Sequence, residues 1–331
     1  MFLLLVGGGM LLLTGGEVLV RAATQIAAVL RIPPLVVGLT LVAACTGAPE
    51  LAVSLMGCLK SGGSPELAVG NVVGSNICNI MLILGAAALV RPMSVSSKLI
   101  RREIPLMILV SALLWTIVAM TFVSGSERGY YFPRAAGLAF VVLFILYTIW
   151  AIWEVRKNEN RIMAAGLQER ATAYPPKNRF LALFGALALF TLGLIMLLAG
   201  SNWFIEGAVL FAQRLGVSQL VIGLTVLAVG TSLPELVVSV VASARGRADV
   251  AIGNVVGSNI FNILIVLGIS GLSVPGGIAV SEHAFRIDIP IMILVAAFGS
   301  YLCVTGRRLT RTEGLALLLG YGFYVWLLVK V

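Results

Sequence analysis

Two stretches of the sequence are close copies of each other, and this internal repeat constrains the fold more than any other feature. The stretch from Val36 reads VVGLTLVAACTGAPELAVSL, and the stretch from Val221 reads VIGLTVLAVGTSLPELVVSV. Further on, GNVVGSNICNI from Gly70 matches GNVVGSNIFNI from Gly253, with one difference. The first pair of copies begins 185 positions apart in a chain of 331 residues, which predicts two homologous halves.

The composition indicates that the chain folds in a lipid bilayer. Hydrophobic residues make up 60% of it and charged residues 11%, and the mean hydropathy is +1.05; such values are typical of a polytopic membrane protein with short loops. The net charge of +9 does not indicate nucleic acid as a partner, because the basic residues are scattered among loops rather than gathered into a stripe. The four cysteines have no CxxC spacing, so neither a disulfide framework nor a zinc site is expected.

Apolar segments of membrane length, which is about 20 residues, predict ten transmembrane helices, five in each half. They lie near 3–31, 33–59, 65–90, 104–123, 134–153, 181–215, 219–244, 248–272, 288–305 and 312–330. The predicted fold class is an all-α polytopic membrane protein built as two inverted five-helix repeats. Its parts are a first repeat over 1–153, a linker over 154–179 and a second repeat over 180–331.

The distribution of basic residues predicts the orientation in the membrane. With the N-terminus outside, 17 of the 23 Lys and Arg residues fall on the inner side and 6 on the outer side. This excess predicts that both termini lie outside and that the linker is cytoplasmic. An odd number of helices per half then inverts the second half, and inverted halves are typical of a secondary transporter whose site lies between the repeats.

Glu50 and Glu235 occupy matching positions about midway along their segments. A carboxylate at that depth costs several kcal/mol unless it is paired. The nearest basic residues of the same segments, Lys60 and Arg245, come ten positions later, too far along a helix to pair. We therefore expect a bound cation as the partner; a protonated glutamate hydrogen-bonded between helices is the alternative.

Each glutamate directly follows a proline, Pro49 or Pro234. A proline inside a helix leaves the carbonyl four residues earlier without its N–H donor, here the carbonyl of Cys45 or Gly230. Such carbonyls are tolerated in membranes where they line a cavity. We expect a carbonyl ligand beside each carboxylate; a kink that serves only packing is the alternative.

Hydroxyl and amide side chains follow with the four-residue spacing that places them on one helical face. The sets are Thr46, Glu50 and Ser54; Thr231, Glu235 and Ser239; Asn71, Ser75 and Asn79; and Asn254, Ser258 and Asn262. All of these side chains offer oxygen ligands, which favour Ca²⁺ or Na⁺ over zinc or copper. Asn79 and Asn262 are the amides we favour as ligands. For Asn71, Asn76, Asn254 and Asn259, ligation and simple helix–helix hydrogen bonding remain equal alternatives.

The motifs GTSLPE at 230–235 and GNVVGSNI at 70–77 and 253–260 resemble the alpha repeats of the sodium/calcium exchanger family, in the cation/calcium antiporter superfamily. The resemblance implies a ten-helix inverted-repeat fold with four ion-binding helices, in the plasma membrane (inner membrane) of a prokaryotic cell. It implies that the ligands are the acids Glu50 and Glu235, the amides Asn79 and Asn262, and the hydroxyls Thr46, Ser75, Thr231, Ser232 and Ser258.

The sequence departs from the family pattern at two positions. The first copy reads CTGAPE, so Gly47 lacks the hydroxyl that Ser232 supplies in the second copy, and this puts one sodium position in question. Asn262 stands where some members, including potassium-dependent exchangers, have Asp, which argues against potassium co-transport.

The charges agree with an exchanger. Two carboxylates in a low-dielectric cavity balance one divalent cation or two monovalent ones, so Ca²⁺ and Na⁺ or H⁺ should compete for the same oxygens. We expect an antiporter that exchanges Ca²⁺ for Na⁺, with a Ca²⁺/H⁺ antiporter as the alternative and a cation channel as a weaker one. An enzyme is not expected, because no HExxH or GxSxG motif occurs. No cofactor is expected besides the transported ions, and the sequence leaves the oligomeric state open.

The first and sixth helices are the longest of the predicted set and are expected to move against the other helices during transport. Glu17 and Arg21 lie four residues apart on the first helix. We expect these two side chains to pair with each other rather than to bind the transported ion.

Overall fold

The computed structural model describes residues 1–30, 32–59, 64–123, 129–164, 179–215 and 230–330 of the chain, and these residues are almost entirely helical. The helices of the first half are α1 (Phe2–Leu30), α2 (Pro34–Thr46), α3 (Ala48–Leu59), α4 (Glu66–Val90), α5 (Leu99–Phe122) and α6 (Arg134–Ala164). Those of the second half are α7 (Arg179–Arg214), α8 (Leu233–Ala244), α9 (Ala248–Ser273), α10 (Ala284–Thr305) and α11 (Arg311–Lys330).

The described residues form a multi-pass membrane protein. Seven helices, namely α1, α4, α5, α6, α7, α9 and α10, are long and apolar enough to cross a membrane, and α2 with α3 makes an eighth if the bent pair is one span. The sequence predicts ten such segments. The predicted segment 219–244 begins outside the described residues, and its described part, α8, has only 12 residues. The segment near 312–330 is α11, a helix of 20 residues.

Several helices differ from their predicted bounds. The segment near 33–59 is two helices that bend by 42° at Gly47. Helix α6, the fifth predicted segment, continues past 153 to Ala164, because the polar residues that follow include good helix formers such as Glu, Arg and Lys. Helices α5 and α10, the fourth and ninth predicted segments, begin earlier than predicted. They start with π-helical turns at Leu99 and Ala284, whereas the predicted starts were 104 and 288.

The centre of the molecule consists of α4 and α9, the helices that carry the GNVVGSNI motif. Within their most apolar stretches, 72% of the α4 residues and 83% of the α9 residues are buried in the protein, compared with 17% for α6 and 22% for α7. A helix that is buried on all sides contacts other protein groups and not lipid. The polar side chains of α4 and α9 therefore face other protein groups at the core.

The two halves are interlocked rather than side by side. Two small antiparallel sheets pair β1 (Met93–Ser94) with β4 (Arg308–Leu309) and β2 (Tyr131–Phe132) with β3 (Ile278–Ala279), so that each sheet takes one strand from each half. Helix α11 packs on α4, where a Cβ atom added at Gly85 would lie 2.9 Å from the carbonyl oxygen of Gly314. Helix α6 packs on α9 in the same way, since a Cβ atom added at Gly137 would lie 2.7 Å from the carbonyl oxygen of Gly268.

The long helices α1 and α7 pack along each other through small residues, as membrane helices commonly do. A Cβ atom at Gly8 would lie 2.9 Å from the carbonyl oxygen of Gly200, and one at Gly15 would lie 3.0 Å from that of Gly193. The close contact of the two backbones makes α1 and α7 a paired unit beside the central helices.

Candidate functional site

The break in the second predicted segment places Glu50 at the beginning of a helix. Gly47 has φ −78° and ψ 3°, α3 starts at Ala48, and Glu50 lies in its first turn. Glu235 likewise lies in the first turn of α8. The free N–H groups and dipole of a helix N-terminus favour a negative charge, and a proline at the start of a helix costs no hydrogen bond. The motif therefore starts a helix at each glutamate, whereas the sequence placed the proline and the glutamate inside a continuous helix.

Both glutamates are enclosed by protein. Glu50 and Glu235 are each 1% exposed, and no Lys or Arg forms a salt bridge with either of them among the described residues. In the part of the chain that the structure describes, the charges of these two acids are therefore not balanced by a protein cation.

Amide side chains connect α4 and α9 in a reciprocal pattern. Asn79 Nδ2 donates to Asn259 Oδ1 at 2.9 Å, and Asn262 Nδ2 donates to Asn76 Oδ1 at 3.1 Å. Asn76 Nδ2 and Asn259 Nδ2 each donate to the other residue's backbone carbonyl, at 3.3 and 3.4 Å. These bonds fix the orientation of Asn79 and Asn262 and leave the carbonyl oxygen of each side chain without a partner.

Asn71 and Asn254 tie the helices with the motif to the helices with the acids. Asn71 Nδ2 lies 3.1 Å from the Glu50 carbonyl oxygen and 3.0 Å from Ser54 Oγ. Asn254 Nδ2 lies 3.4 Å from the Glu235 carbonyl oxygen and 3.1 Å from Ser239 Oγ. The four amides that the sequence left open thus all make helix–helix hydrogen bonds.

The hydroxyl groups divide into bonded and unbonded ones. Ser232 Oγ lies 3.0 Å from Glu50 Oε1 and 3.4 Å from Ser75 Oγ, so it links the two halves directly. Thr46 Oγ1 lies 3.1 Å from the Val42 carbonyl oxygen and 3.3 Å from Asn254 Oδ1. The hydroxyls of Thr231 and Ser258 have no partner among the described residues.

Buried polar atoms without a hydrogen-bond partner concentrate at these residues. Among the described residues there are seven such side-chain atoms, and six of them are Glu50 Oε2, Asn79 Oδ1, Thr231 Oγ1, Glu235 Oε2, Ser258 Oγ and Asn262 Oδ1. The seventh is Ser270 Oγ. Each unpaired buried group costs about 1–3 kcal/mol. The six are all oxygen atoms and four of them only accept hydrogen bonds, which is the donor set that fits a hard cation.

The chemistry of the set also limits the kind of cation. The described residues contain no group of three or more His, Cys, Asp and Glu side chains that would hold a metal. The single histidine, His283, is about half exposed and lies 3.7 Å from Asp288. The oxygens at the core thus comprise two carboxylates with neutral amides and hydroxyls, in keeping with the expectation of Ca²⁺ or Na⁺ rather than zinc or copper.

The long helix α7 reaches this group of residues, which the sequence did not predict. Ser201 Oγ donates to the Gly230 carbonyl oxygen at 3.1 Å, so this carbonyl, expected as a ligand, already accepts one hydrogen bond. A Cβ atom at Gly230 would lie 2.7 Å from the Ile205 side chain of α7. Cys45, the other carbonyl position, lies two residues before the break at Gly47. No local pattern indicates that Ser201 meets a carbonyl 29 residues later.

Glu17 pairs as expected and also makes a second ion pair. Arg21 Nε lies 2.5 Å from Glu17 Oε1, which confirms the predicted pairing. Arg245 Nε, just beyond α8, lies 2.8 Å from Glu17 Oε2. An open cavity of about 670 Å³ lies beside these three residues, between α1 and α8. The second ion pair links the long helix α1 to the element that carries Glu235.

A family model described as sodium/calcium exchanger protein matches residues 1–153 and 185–330. The putative antiporter CaxA of Alkalimonas amylolytica is 37% identical over 97% of this chain and 96% of its own length. The inner membrane protein YrbG of Escherichia coli K12 is 36% identical over 98% and 94%. The sodium/calcium exchanger MaX1 of Methanosarcina acetivorans is 34% identical over 99% and 97%.

Solved structures agree with the sequence comparison. A structure of the sodium-calcium exchanger NCX_Mj soaked with 10 mM Na⁺ and zero Ca²⁺ superposes with a TM-score of 0.78 at 27% identity, covering 98% of this chain and 99% of that one. A second NCX_Mj structure, soaked with zero Na⁺ and Ca²⁺, also gives 0.78, at 28% identity. The match spans both halves and their connections.

Proposed function

The chain belongs to the sodium/calcium exchanger protein family, and on that premise we propose that it exchanges Ca²⁺ for Na⁺ at one central site by alternating access. The chain is a multi-pass membrane protein and a cation/calcium antiporter. Members of this family are transporters, which agrees with the expectation that the chain is not an enzyme.

One observation supports the exchange reaction most directly, namely two enclosed carboxylates that have no protein cation beside them. Within the described part of the chain, Glu50 and Glu235 each keep one oxygen without a partner, and together they carry the charge that balances one Ca²⁺ or two Na⁺. A site that holds either load but not both at once will release one ion when the other binds. Alternate opening to the two sides of the membrane turns this competition into antiport.

The proposed ligands are the residues expected from the sequence. The proposed ligand set comprises the carboxylates of Glu50 and Glu235, the side-chain oxygens of Asn79, Asn262, Thr46, Thr231, Ser75, Ser258 and Ser232, and the carbonyls of Cys45 and Gly230. Among them, Thr231, Ser258, Asn79 and Asn262 have direct support, because each has a buried oxygen that no described protein group satisfies. Apart from the transported ions, the reaction needs no cofactor.

The proposed architecture is ten helices in two inverted five-helix repeats, 1–153 and 180–331, joined by a cytoplasmic linker over 154–179. The reciprocal strand pairing supports a two-fold relation, since β1 and β2 of the first half meet β4 and β3 of the second. A cysteine placed at Asn158 should react with an impermeant reagent only from the cytoplasmic side. Labelling from outside in intact cells would contradict the orientation.

The exchange reaction is tested by calcium flux in proteoliposomes. Vesicles loaded with Ca²⁺ and diluted into Na⁺-free choline buffer at clamped pH should retain their Ca²⁺, and added Na⁺ should release it. Protein-free vesicles are the control. Release into Na⁺-free buffer without any counter-ion would indicate a channel and contradict the proposal.

A Ca²⁺/H⁺ antiporter is the second candidate, and Gly47 is the observation that favours it. Protons need only the two carboxylates, whereas Na⁺ needs a shell of neutral oxygens, and Gly47 supplies none where Ser232 does. Equal Ca²⁺ release by a pH gradient in the absence of Na⁺ would favour H⁺ over Na⁺ as the coupling ion.

A further inference from the structure

Several positions differ between the two copies of the repeat, and two of these pairs bring residues close together in the structure. Gly47 of the first copy corresponds to Ser232 of the second, and Cys78 corresponds to Phe261. A Cβ atom added at Gly47 would lie 2.9 Å from Cδ1 and 3.1 Å from Cε1 of Phe261. Ser232, in turn, lies near the thiol of Cys78. A glycine is thus matched with a phenyl ring, and a serine with a small thiol.

The space beside Gly47 is restricted by the Phe261 ring and by the Ala43 carbonyl oxygen, which a Cβ atom at position 47 would approach to 3.0 Å. Gly47 has a negative φ of −78°, a value that any residue adopts, so no left-handed conformation requires glycine there. Phe261 is buried, and its ring packs edge-on against Phe144 with centroids 5.8 Å apart. A buried ring held in this way cannot turn aside easily for a serine side chain. A serine side chain at position 47 would therefore have to displace the ring.

The missing hydroxyl belongs to the Glu235 side of the site. In the second copy, Ser232 reaches across to the acid of the first, with its Oγ 3.0 Å from Glu50 Oε1. By the repeat, a hydroxyl at position 47 would reach across to Glu235, which Thr46, the residue before Gly47, already contacts. A hydroxyl at position 47 would therefore add a second neutral oxygen beside Glu235.

We propose that Phe261, seated on Gly47, is a specificity-determining residue that excludes one coupling ion from the Glu235 side of the site, so that two Na⁺ exchange for one Ca²⁺. This inference rests on the proposed Na⁺/Ca²⁺ exchange. Two Na⁺ match the two carboxylates in charge, as one Ca²⁺ does. A further Na⁺ needs neutral oxygens to hold it, and the apolar ring replaces one of them.

The test transplants the Ser232–Cys78 pair onto the other half as the double variant Gly47→Ser with Phe261→Cys. Ca²⁺-loaded proteoliposomes with the membrane potential clamped by K⁺ and valinomycin report the dependence of Ca²⁺ release on Na⁺. The unaltered protein should give a Hill coefficient of about two and release that does not respond to potential, because the exchange moves no net charge. The double variant should give a higher Hill coefficient and release that responds to potential.

Matched variants separate the ring from the hydroxyl. Gly47→Ser alone should not raise the Hill coefficient, because the ring still fills the space. If the double variant does not fold, Phe261→Cys alone decides, since the smaller side chain leaves room for a water ligand and should lower the half-saturating Na⁺ concentration. An unchanged half-saturating concentration in that variant would overturn the inference.

Failure of the inference can be told from failure of the proposed function. Na⁺-driven release that responds to potential in the unaltered protein, or a folded double variant with the original Hill coefficient, would overturn only the role of Phe261. Ca²⁺ release that needs a pH gradient and not Na⁺ would overturn both.

Discussion

The two halves use their amides alike and their hydroxyls differently. Asn71 and Asn254 bond to the same backbone and serine groups in each half, whereas Thr46 is hydrogen-bonded and its counterpart Thr231 is not. Ser75 lies within hydrogen-bond distance of Ser232, whereas Ser258 has no partner among the described residues. The shared bonds form a scaffold that the repeat preserves, and the differences lie in the groups available to an ion.

Substitution of the glutamate of either half should reduce Ca²⁺ exchange equally, and this is the largest effect we expect. Glu50→Gln and Glu235→Gln should each reduce Ca²⁺ exchange by at least about 100-fold, because one negative charge then faces a divalent ion. Flux in proteoliposomes measures this, and gel filtration in detergent checks folding. Glu282→Gln, at an exposed residue paired with Arg286, is the control and should keep full activity. Undiminished flux in either core variant would remove that glutamate from the site.

The amides should separate scaffold from ligand within each half. Asn79→Ala and Asn262→Ala remove an unpaired carbonyl oxygen and should weaken Ca²⁺ binding by about tenfold. Asn76→Ala and Asn259→Ala should instead lower the unfolding temperature, each costing about 0.6–1.7 kcal/mol, by similar amounts in the two halves. Calcium titration and thermal unfolding in detergent distinguish the pairs. Equal effects on binding from all four would contradict the division.

The threonines should break the equality of the halves. Thr231→Val removes an unpaired hydroxyl and should weaken ion binding, by a few-fold, without lowering stability. Thr46→Val removes the hydroxyl that lies near Asn254 and should cost about 0.5–1.5 kcal/mol of stability. Unfolding temperatures measured with and without Ca²⁺ give both quantities. Identical results for the two variants would show that the hydroxyls of the halves are equivalent.

The smallest effect is expected at the ion pair that joins α1 to the end of α8. Arg245→Gln removes one of the two partners of Glu17, and an exposed pair is worth about 0–1 kcal/mol. Exchange rates should change by a few-fold at low ionic strength and not at high ionic strength, because salt screens exposed charges. A large effect that persists at high salt would mean that the pair acts through more than its charge.

The acids could be predicted from the sequence because their signal is local and occurs twice. Glu50 and Glu235 each follow a proline inside an apolar segment, and the amide rows recur at a fixed spacing. A repeated motif fixes residue types without any knowledge of the fold, and the structure gathers the oxygens of these residues at its core.

The remaining features depend on contacts between distant parts of the chain. Gly47 meets the Phe261 ring only because α9 packs beside the break, and Ser201 meets Gly230 only because α7 lies against the core. The second partner of Glu17 comes from a residue more than 200 positions away. Spacing within a segment carries no information about such neighbours.

The strand pairs that cross between the halves affect how the protein is made. β1 is synthesised with the first half, yet its partner β4 lies at Arg308–Leu309, just before the last helix. At about 5–20 residues per second, the ribosome needs tens of seconds to reach that partner. The contact surface of α4 for α11 stays uncovered over the same interval. The first half therefore waits in the membrane in an incomplete form, and a nascent chain released before Arg308 would lack the means to close either its β1 edge or its α4 surface.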